Sequence, residues 1–219
     1  MTYTGHVTPG GPTDIRRLGR ATIRKMSVSE MHNNVYLLTC TATGEQLLID
    51  AADDAHRCLG LVREGTGRLD HLVTTHQHWD HVRALEDVVR VTGTTTYAGA
   101  DDADALPVAP DVRLRHGDVV TVGELRLDVI HLRGHTPGSV ALSWADPDGH
   151  THLFTGDALF PGGAGRTTNP EDFTSLMDDI EQRVFATHDD DTWFYPGHGD
   201  DSTIGAERPH LDEWRQRGW

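Results

Sequence analysis

The sequence lacks any excess of positive charge: 19 Lys and Arg stand against 34 Asp and Glu, a net charge of −15. Such a chain presents no basic stripe for phosphates, which excludes general nucleic-acid binding. It also lacks an apolar run near the ~20 residues that a membrane helix needs. The polar, Gly/Pro-rich residues 1–12 lack the apolar core of a signal peptide. Only two cysteines occur, Cys40 and Cys58, and they form no Cys-x-x-Cys pair, so no disulfide framework is expected. These absences make the cytoplasm the default location, with neither a membrane nor a nucleic acid as partner. No linker or repeat divides the 219 residues, which read as one domain over 1–219, with 1–19 a loose N-terminal arm. The recurrent acidic pairs, such as Asp53-Asp54 and Asp101-Asp102, read as solvated surface. The oligomeric state is not legible.

What the chain does have is histidine, 15 in all. The densest stretch is Thr75-His76-Gln77-His78-Trp79-Asp80-His81, with four potential metal ligands in six residues. An apolar segment before it, Leu69 to Thr74, reads as a buried strand, and Val82 to Arg90 reads as a helix. The ligands therefore sit on a loop at a strand end, where a rigid scaffold usually places function. Imidazole and carboxylate together suit zinc, iron and similar metals.

Strands are expected at Arg20 to Val28, Val35 to Cys40 and Gln46 to Asp50. A helical spacing of apolar residues follows over Asp53 to Glu64. The middle of the chain reads as β-rich, with candidates at Thr95 to Ala98, Val112 to Arg115, Val119 to Val122, Leu125 to His131, Ser139 to Trp144 and Thr151 to Thr155. Asn169 caps a helix whose first position is Pro170, running to about Ala186. Thr192 to Tyr195 reads as a last strand, and Gly205 to Gly218 as a short helix. This order favours packed sheets with helices outside.

Three more donors each follow a strand candidate: His135 in Gly134-His135-Thr136-Pro137-Gly138-Ser139, Asp157 in Thr155-Gly156-Asp157, and His198 in Pro196-Gly197-His198-Gly199. Strands laid side by side would bring these ends together. Five imidazoles and two carboxylates exceed the four or so ligands of one metal. They suit two metals with a shared carboxylate and a bridging water whose pKa the two dications lower, giving hydroxide near neutral pH.

This set resembles the metallo-β-lactamase superfamily. His76 to His81 is its complete H-x-H-x-D-H motif, and the three later segments resemble its later motifs in the same chain order. The resemblance implies an α+β fold, the αββα four-layer sandwich, with metals at one edge of the two sheets. It implies that His76, His78 and His135 hold a first metal, that Asp80, His81 and His198 hold a second, and that Asp157 bridges them. Zinc is the first expectation, with iron or a mixed zinc/iron pair as alternatives.

A carboxylate at Asp157 is typical of the glyoxalase II-like branch and is absent from the superfamily's true β-lactamases. The Gly165-Arg166 loop resembles that branch too, and Arg166 is a candidate for binding a substrate carboxylate. The chain departs from the branch in lacking Thr-Pro before Gly134-His135-Thr136. Only about 20 residues follow His198, short of the helical glutathione-binding domain of full-length glyoxalase II. The resemblance implies a binuclear hydrolase of a small-molecule thioester, hydroxyacylglutathione hydrolase-like, with Asp80 orienting the attacking hydroxide. Two alternatives stay open. One is a persulfide dioxygenase of the same fold, with a single iron on His76, His135 and Asp157. The other is a lactone hydrolase.

Overall fold

The structure, a computed structural model, describes residues 2–218. Seven strands form the first sheet in sequence order: β1 (Asp14–Arg17), β2 (Ala21–Val28), β3 (Asn33–Cys40), β4 (Gln46–Ile49), β5 (His71–Thr74), β6 (Thr95–Gly99) and β7 (Val112–Leu114). Pairing is antiparallel from β1 to β4 and parallel from β4 to β7. The switch falls where a helix first intervenes. α1 (Ala55–Glu64) carries the chain from β4 back to β5, and α2 (Leu85–Thr92) from β5 to β6. A parallel partner needs such a crossover.

The second sheet contains β8 (Val119–Val122), β9 (Leu125–His131), β10 (Val140–Ala145) and β11 (Thr151–Gly156). After β11 comes a two-stranded hairpin, β12 (Leu159–Phe160) and β13 (Gly163–Ala164), and then α3 (Pro170–Ile180). β14 (Trp193–Pro196) joins the sheet parallel to β11, and β15 (Ser202–Thr203) closes its edge. Two short helices follow, α4 (Ile204–Glu207) and α5 (Leu211–Arg217).

Three apolar clusters fix the layering. One lies between the sheets and joins Ile23, Leu38 and Ile49 to Leu127, Leu142 and Phe154. A second packs Cys58, Leu61 and Val88 of the helices against Leu37, Leu48 and Leu72 on the outer face of the first sheet. The third packs Leu176, Met177, Ile180 and Trp214 against Ile130, Leu153 and Phe194 on the outer face of the second. Strand faces alternate, so a strand with apolar residues on both faces is buried from both sides. β3 is buried throughout. The result is the expected α-β-β-α sandwich.

Helix ends follow the side chains. Asn169 Oδ1 accepts from Asp172 N at 2.8 Å, with Pro170 at the first helical position. The helical hydrogen bonding widens over Glu181–Phe185, so the run expected to reach Ala186 ends in a π turn.

The expectation of a loose arm over 1–19 is overturned for the described residues. β1 pairs with β2 along Asp14–Arg17. Asp14 Oδ2 gathers Thr4 N, Thr4 Oγ1 and Gly5 N at 2.8–3.0 Å. Tyr3 packs edge-on to Trp193 with centroids 6.2 Å apart. The segment has few apolar residues, so its order comes from polar contacts that hydropathy does not register.

Candidate metal centre

The seven donors named from the sequence lie on loops at one end of the two sheets. From the first sheet, β5 delivers the chain into the loop that carries His76 and His78. A tight 3₁₀ turn over Trp79–His81 then turns Asp80 and His81 inward, where both are buried. Trp79 faces out, 57% exposed, with the Arg83 guanidinium 4.0 Å above its ring. From the second sheet, β9 leads to His135, β11 to Asp157 and β14 to His198.

Two groups of donors result. Ligand atoms of His76, His78 and His135 lie within 4.8 Å of one another, as do those of Asp80, His81 and His198. The Asp157 carboxylate stands between them. Its Oδ1 is 3.4 Å from His81 Nε2, and its Oδ2 is 3.3 Å from His198 Nε2 and 3.7 Å from His135 Nε2. Asp50 is also close to His76 and His81, but it faces His81 Nδ1 at 2.9 Å and not the Nε2 directed at the centre. Asp50 therefore reads as an orienting partner. Outer partners of this kind fix tautomer and ring direction.

Three of the other rings are fixed in the same way. His135 Nδ1 meets the Arg166 carbonyl at 2.6 Å, His198 Nδ1 meets the Met31 carbonyl at 2.8 Å, and His76 Nδ1 meets Thr75 Oγ1 at 3.0 Å. With each Nδ1 so engaged, Nε2 is left for the interior. His76 Nε2, His135 Nε2 and Asp157 Oδ1 are buried without a hydrogen-bond partner. Buried polar atoms are normally satisfied, so these atoms fit a centre that takes cations. His81 Nε2 and His198 Nε2 face each other at 3.1 Å, an arrangement that also fits a shared cation.

Backbone room is provided at Gly197. A Cβ there would lie 2.0 Å from Asp157 Oδ1 and 2.8 Å from His81 Cε1. Only a residue without a side chain lets this loop close on the centre.

Without metal, the cluster is electrostatically divided. Burial pushes His76 well below the usual imidazole value, and the neighbouring imidazoles His81 and His135 add to it. Burial also lowers His135. For His81, burial acts against the charged ring, but Asp157 and Asp50 outweigh it and raise it well above the usual value. His198 shows the same contest and is raised to about 9 by Asp157 and Asp80. Burial opposes ionisation of both carboxylates, but facing histidines hold Asp80 and Asp157 below the usual range. The site thus keeps its carboxylates ionised and cation-seeking.

Several participants carry no motif. Asn33 Nδ2 donates to Asp80 Oδ2 at 2.9 Å. Asp102, fully buried, accepts from Gln77 N, Thr136 Oγ1 and Gly138 N at 2.6–2.9 Å, joining the loops of His78 and His135. Asn34 Nδ2 donates to the Pro196 and Gly199 carbonyls at 2.9 Å each. His131 lies outside the donor set, its Nε2 2.7 Å from the Pro137 carbonyl. A cavity of about 360 Å³ opens beside the first group, lined by His78, His135, Arg166, Thr167 and Thr168. Arg166 stands on its rim.

The family model of the metallo-beta-lactamase superfamily matches residues 28–198. The probable hydroxyacylglutathione hydrolase of Schizosaccharomyces pombe is 30% identical over 171 residues, covering 76% of this chain and 64% of that protein. Other hydroxyacylglutathione hydrolases match over a smaller share, and the chain spans about half to two thirds of the length of these curated relatives. Among solved structures, ETHE1 from Myxococcus xanthus superposes with a TM-score of 0.77 at 31% identity, covering 89% of this chain and 84% of that one. TTHA1623, solved in a di-iron-bound form, superposes with a TM-score of 0.70 at 29% identity, covering 84% and 96%.

Proposed function

Because this chain belongs to the metallo-β-lactamase superfamily, we propose that it is a binuclear metal-dependent hydrolase of a small-molecule thioester. The observation that carries this reading is the Asp157 carboxylate, which faces imidazoles of both donor groups at 3.3–3.7 Å. His76, His78 and His135 would hold one ion, Asp80, His81 and His198 the other, with Asp157 common to both. Divalent ions on such donors supply Lewis acidity and lower the pKa of water. Zinc is the first candidate, and the di-iron form of a relative supports iron as the second. The relatives named hydroxyacylglutathione hydrolase support the thioester substrate.

The chain's own residues would do the rest. Asp80, held by Asn33, accepts the hydrogen bond of the attacking water and takes up its proton at a carboxylate oxygen. The water oxygen adds to the thioester carbonyl carbon, the C–S bond breaks, and the proton held at Asp80 passes to the departing sulfur, releasing a carboxylic acid and a thiol. The cavity beside His78 and His135 receives the substrate, and Arg166 at its rim meets a carboxylate on it. Buried walls exclude bulk water from the donor groups and strengthen these contacts.

A second reading has one observation in its favour. Within the donor set, the buried atoms without a partner belong to His76, His135 and Asp157, a two-His, one-carboxylate set of the kind that holds a single iron. That centre would oxidise a persulfide with oxygen. Metal content of protein purified without added metal separates the two readings. Two ions per chain with turnover of S-acyl thiols supports the hydrolase. One iron per chain, with oxygen uptake on a thiol persulfide and no thioester turnover, would sink it.

A further inference from the structure

The chain has a single lysine, Lys25, and it is fully buried in β2. Its ammonium donates to the Gly5 carbonyl at 2.6 Å, the Gly199 carbonyl at 2.8 Å and Asp201 Oδ1 at 2.6 Å. All three protons are used. Asp201, equally buried, accepts on its other oxygen the Tyr3 hydroxyl at 2.5 Å and the Trp193 indole N–H at 3.1 Å. Gly5 closes over the pair with φ of +75°, and a Cβ there would lie 2.8 Å from Asp201 Oδ2.

A buried ion pair adds little stability over an apolar pair of the same volume, so stability alone does not account for it. Position does. Gly199 adjoins His198, and Asp201 lies two residues further on. On the other side of the loop, Asn34 N donates to the Gly197 carbonyl at 2.7 Å, beside the two Asn34 side-chain bonds. The backbone of 197–201 is thus gripped on both sides of His198 by residues that do not belong to the donor set.

We propose that the Lys25–Asp201 pair, capped by Tyr3, is a positioning device for His198, and that the amino-terminal segment is thereby part of the second metal site. Lys25, Asp201 and Tyr3 act through the loop and touch neither donor atoms nor substrate. The inference rests on the binuclear reading above, so its test has one readout that needs no metal.

The full chain is compared with its Asp201→Asn, Lys25→Met and Tyr3→Phe variants. The first measurement is hydrogen exchange of the metal-free protein. Faster exchange is expected in peptides covering 196–201, with peptides covering 133–138 unchanged. The second is zinc titration of each protein. The first zinc is expected to keep its affinity and the second to weaken ~10-fold or more, the range for outer partners of metal ligands. Tyr3→Phe keeps the ion pair and shows a smaller change in the same direction, and it decides the matter if the other two do not fold. Unchanged exchange at 196–201 with an unchanged second affinity overturns the proposal, as does equal weakening of both ions. If the unaltered protein takes up only one metal, the binuclear reading fails, and the exchange comparison alone decides the role of the pair.

Discussion

The two donor groups are held in different ways. Around His76, His78 and His135 the supports come from the loops themselves, from the Arg166 carbonyl and from Asp102, which binds both loops at once. Around Asp80, His81 and His198, Asp50 orients His81 from 31 residues away, and the remaining supports come from farther along the chain. Asn33 reaches Asp80 and Asn34 reaches the backbone on both sides of His198, the latter across more than 160 residues. Lys25 and Asp201 add a second long-range tie. The first group is therefore stabilised by neighbours that form with it, and the second only once β2, β3 and β14 are in register. Non-local closure costs more chain entropy, so the second group should be the softer of the two.

The change with the largest expected effect removes what the groups share. Asp157→Ala deletes the carboxylate that faces both, so affinity should fall for both ions by more than the ~100-fold that outer partners reach, with hydrolysis lost in parallel. Metal counting after dialysis reads this directly. Retention of both ions would mean that the groups are independent.

Gly197→Ala should break the symmetry. The added methyl would press on Asp157 Oδ1 and His81 Cε1, so the second ion should be lost and the first weakened. Titration with a spectroscopically visible divalent ion, such as cobalt, resolves the two steps. Two wild-type affinities in this variant would show that the loop can retreat without consequence.

A finer separation comes from two carboxylates outside the donor set. Asp50→Asn disturbs His81 Nδ1 along with Thr75, and Asp102→Asn disturbs the loops of His78 and His135. Each should cost ~10–100-fold in affinity, Asp50→Asn chiefly at the second ion and Asp102→Asn at the first. If both variants weaken the same ion, the division into two separately supported groups fails.

The same contrast accounts for what the sequence makes legible. His76 to His81 is contiguous, and His135, Asp157 and His198 each follow a strand with glycine beside them. Ligands near a strand end announce themselves through spacing, and the layered fold follows from alternation and helix periodicity. Asn33, Asp50, Asp102 and Asp201 are polar residues whose importance arises from partners distant in sequence, and Asp102, half of an acidic pair expected to be solvated surface, is fully buried. No local spacing marks them. Lys25 offered one signal, a charge amid the apolar residues of β2, where a solvated face is the usual reading. The expectation of a loose arm over 1–19 fails for the same reason, since Thr4, Gly5 and Asp14 order it through hydrogen bonds. Trp214 and Trp219 near the end of the sequence read as candidates for an interface; Trp219 lies outside the described residues, and Trp214 is buried against Phe185.

The smallest effect is expected at the opposite end of β11, where polarity is buried without a partner group of donors. His152 is fully buried, stacked on Trp144, with Nδ1 2.8 Å from the Tyr195 hydroxyl. That hydroxyl also accepts from Arg16 at 3.0 Å, and the buried ring is held neutral. Burial, with Arg16 nearby, lowers its pKa from 6.5 to about 3. The unfolded chain therefore binds a proton that the folded chain refuses. The stability this contributes is fully present above about pH 6.5 and is lost as pH falls toward 3. From pH 6.5 to 5 the loss should be about 2 kcal/mol. His152→Phe keeps the stacking and removes the titration, so urea unfolding at several pH values should give it a shallower acid slope than the parent by about one proton. Changes at the metal ligands are common to both proteins and cancel in the difference. Parallel slopes would mean that His152 protonates in the folded state, and that this end of the sandwich admits charge as readily as the end that holds Asp157.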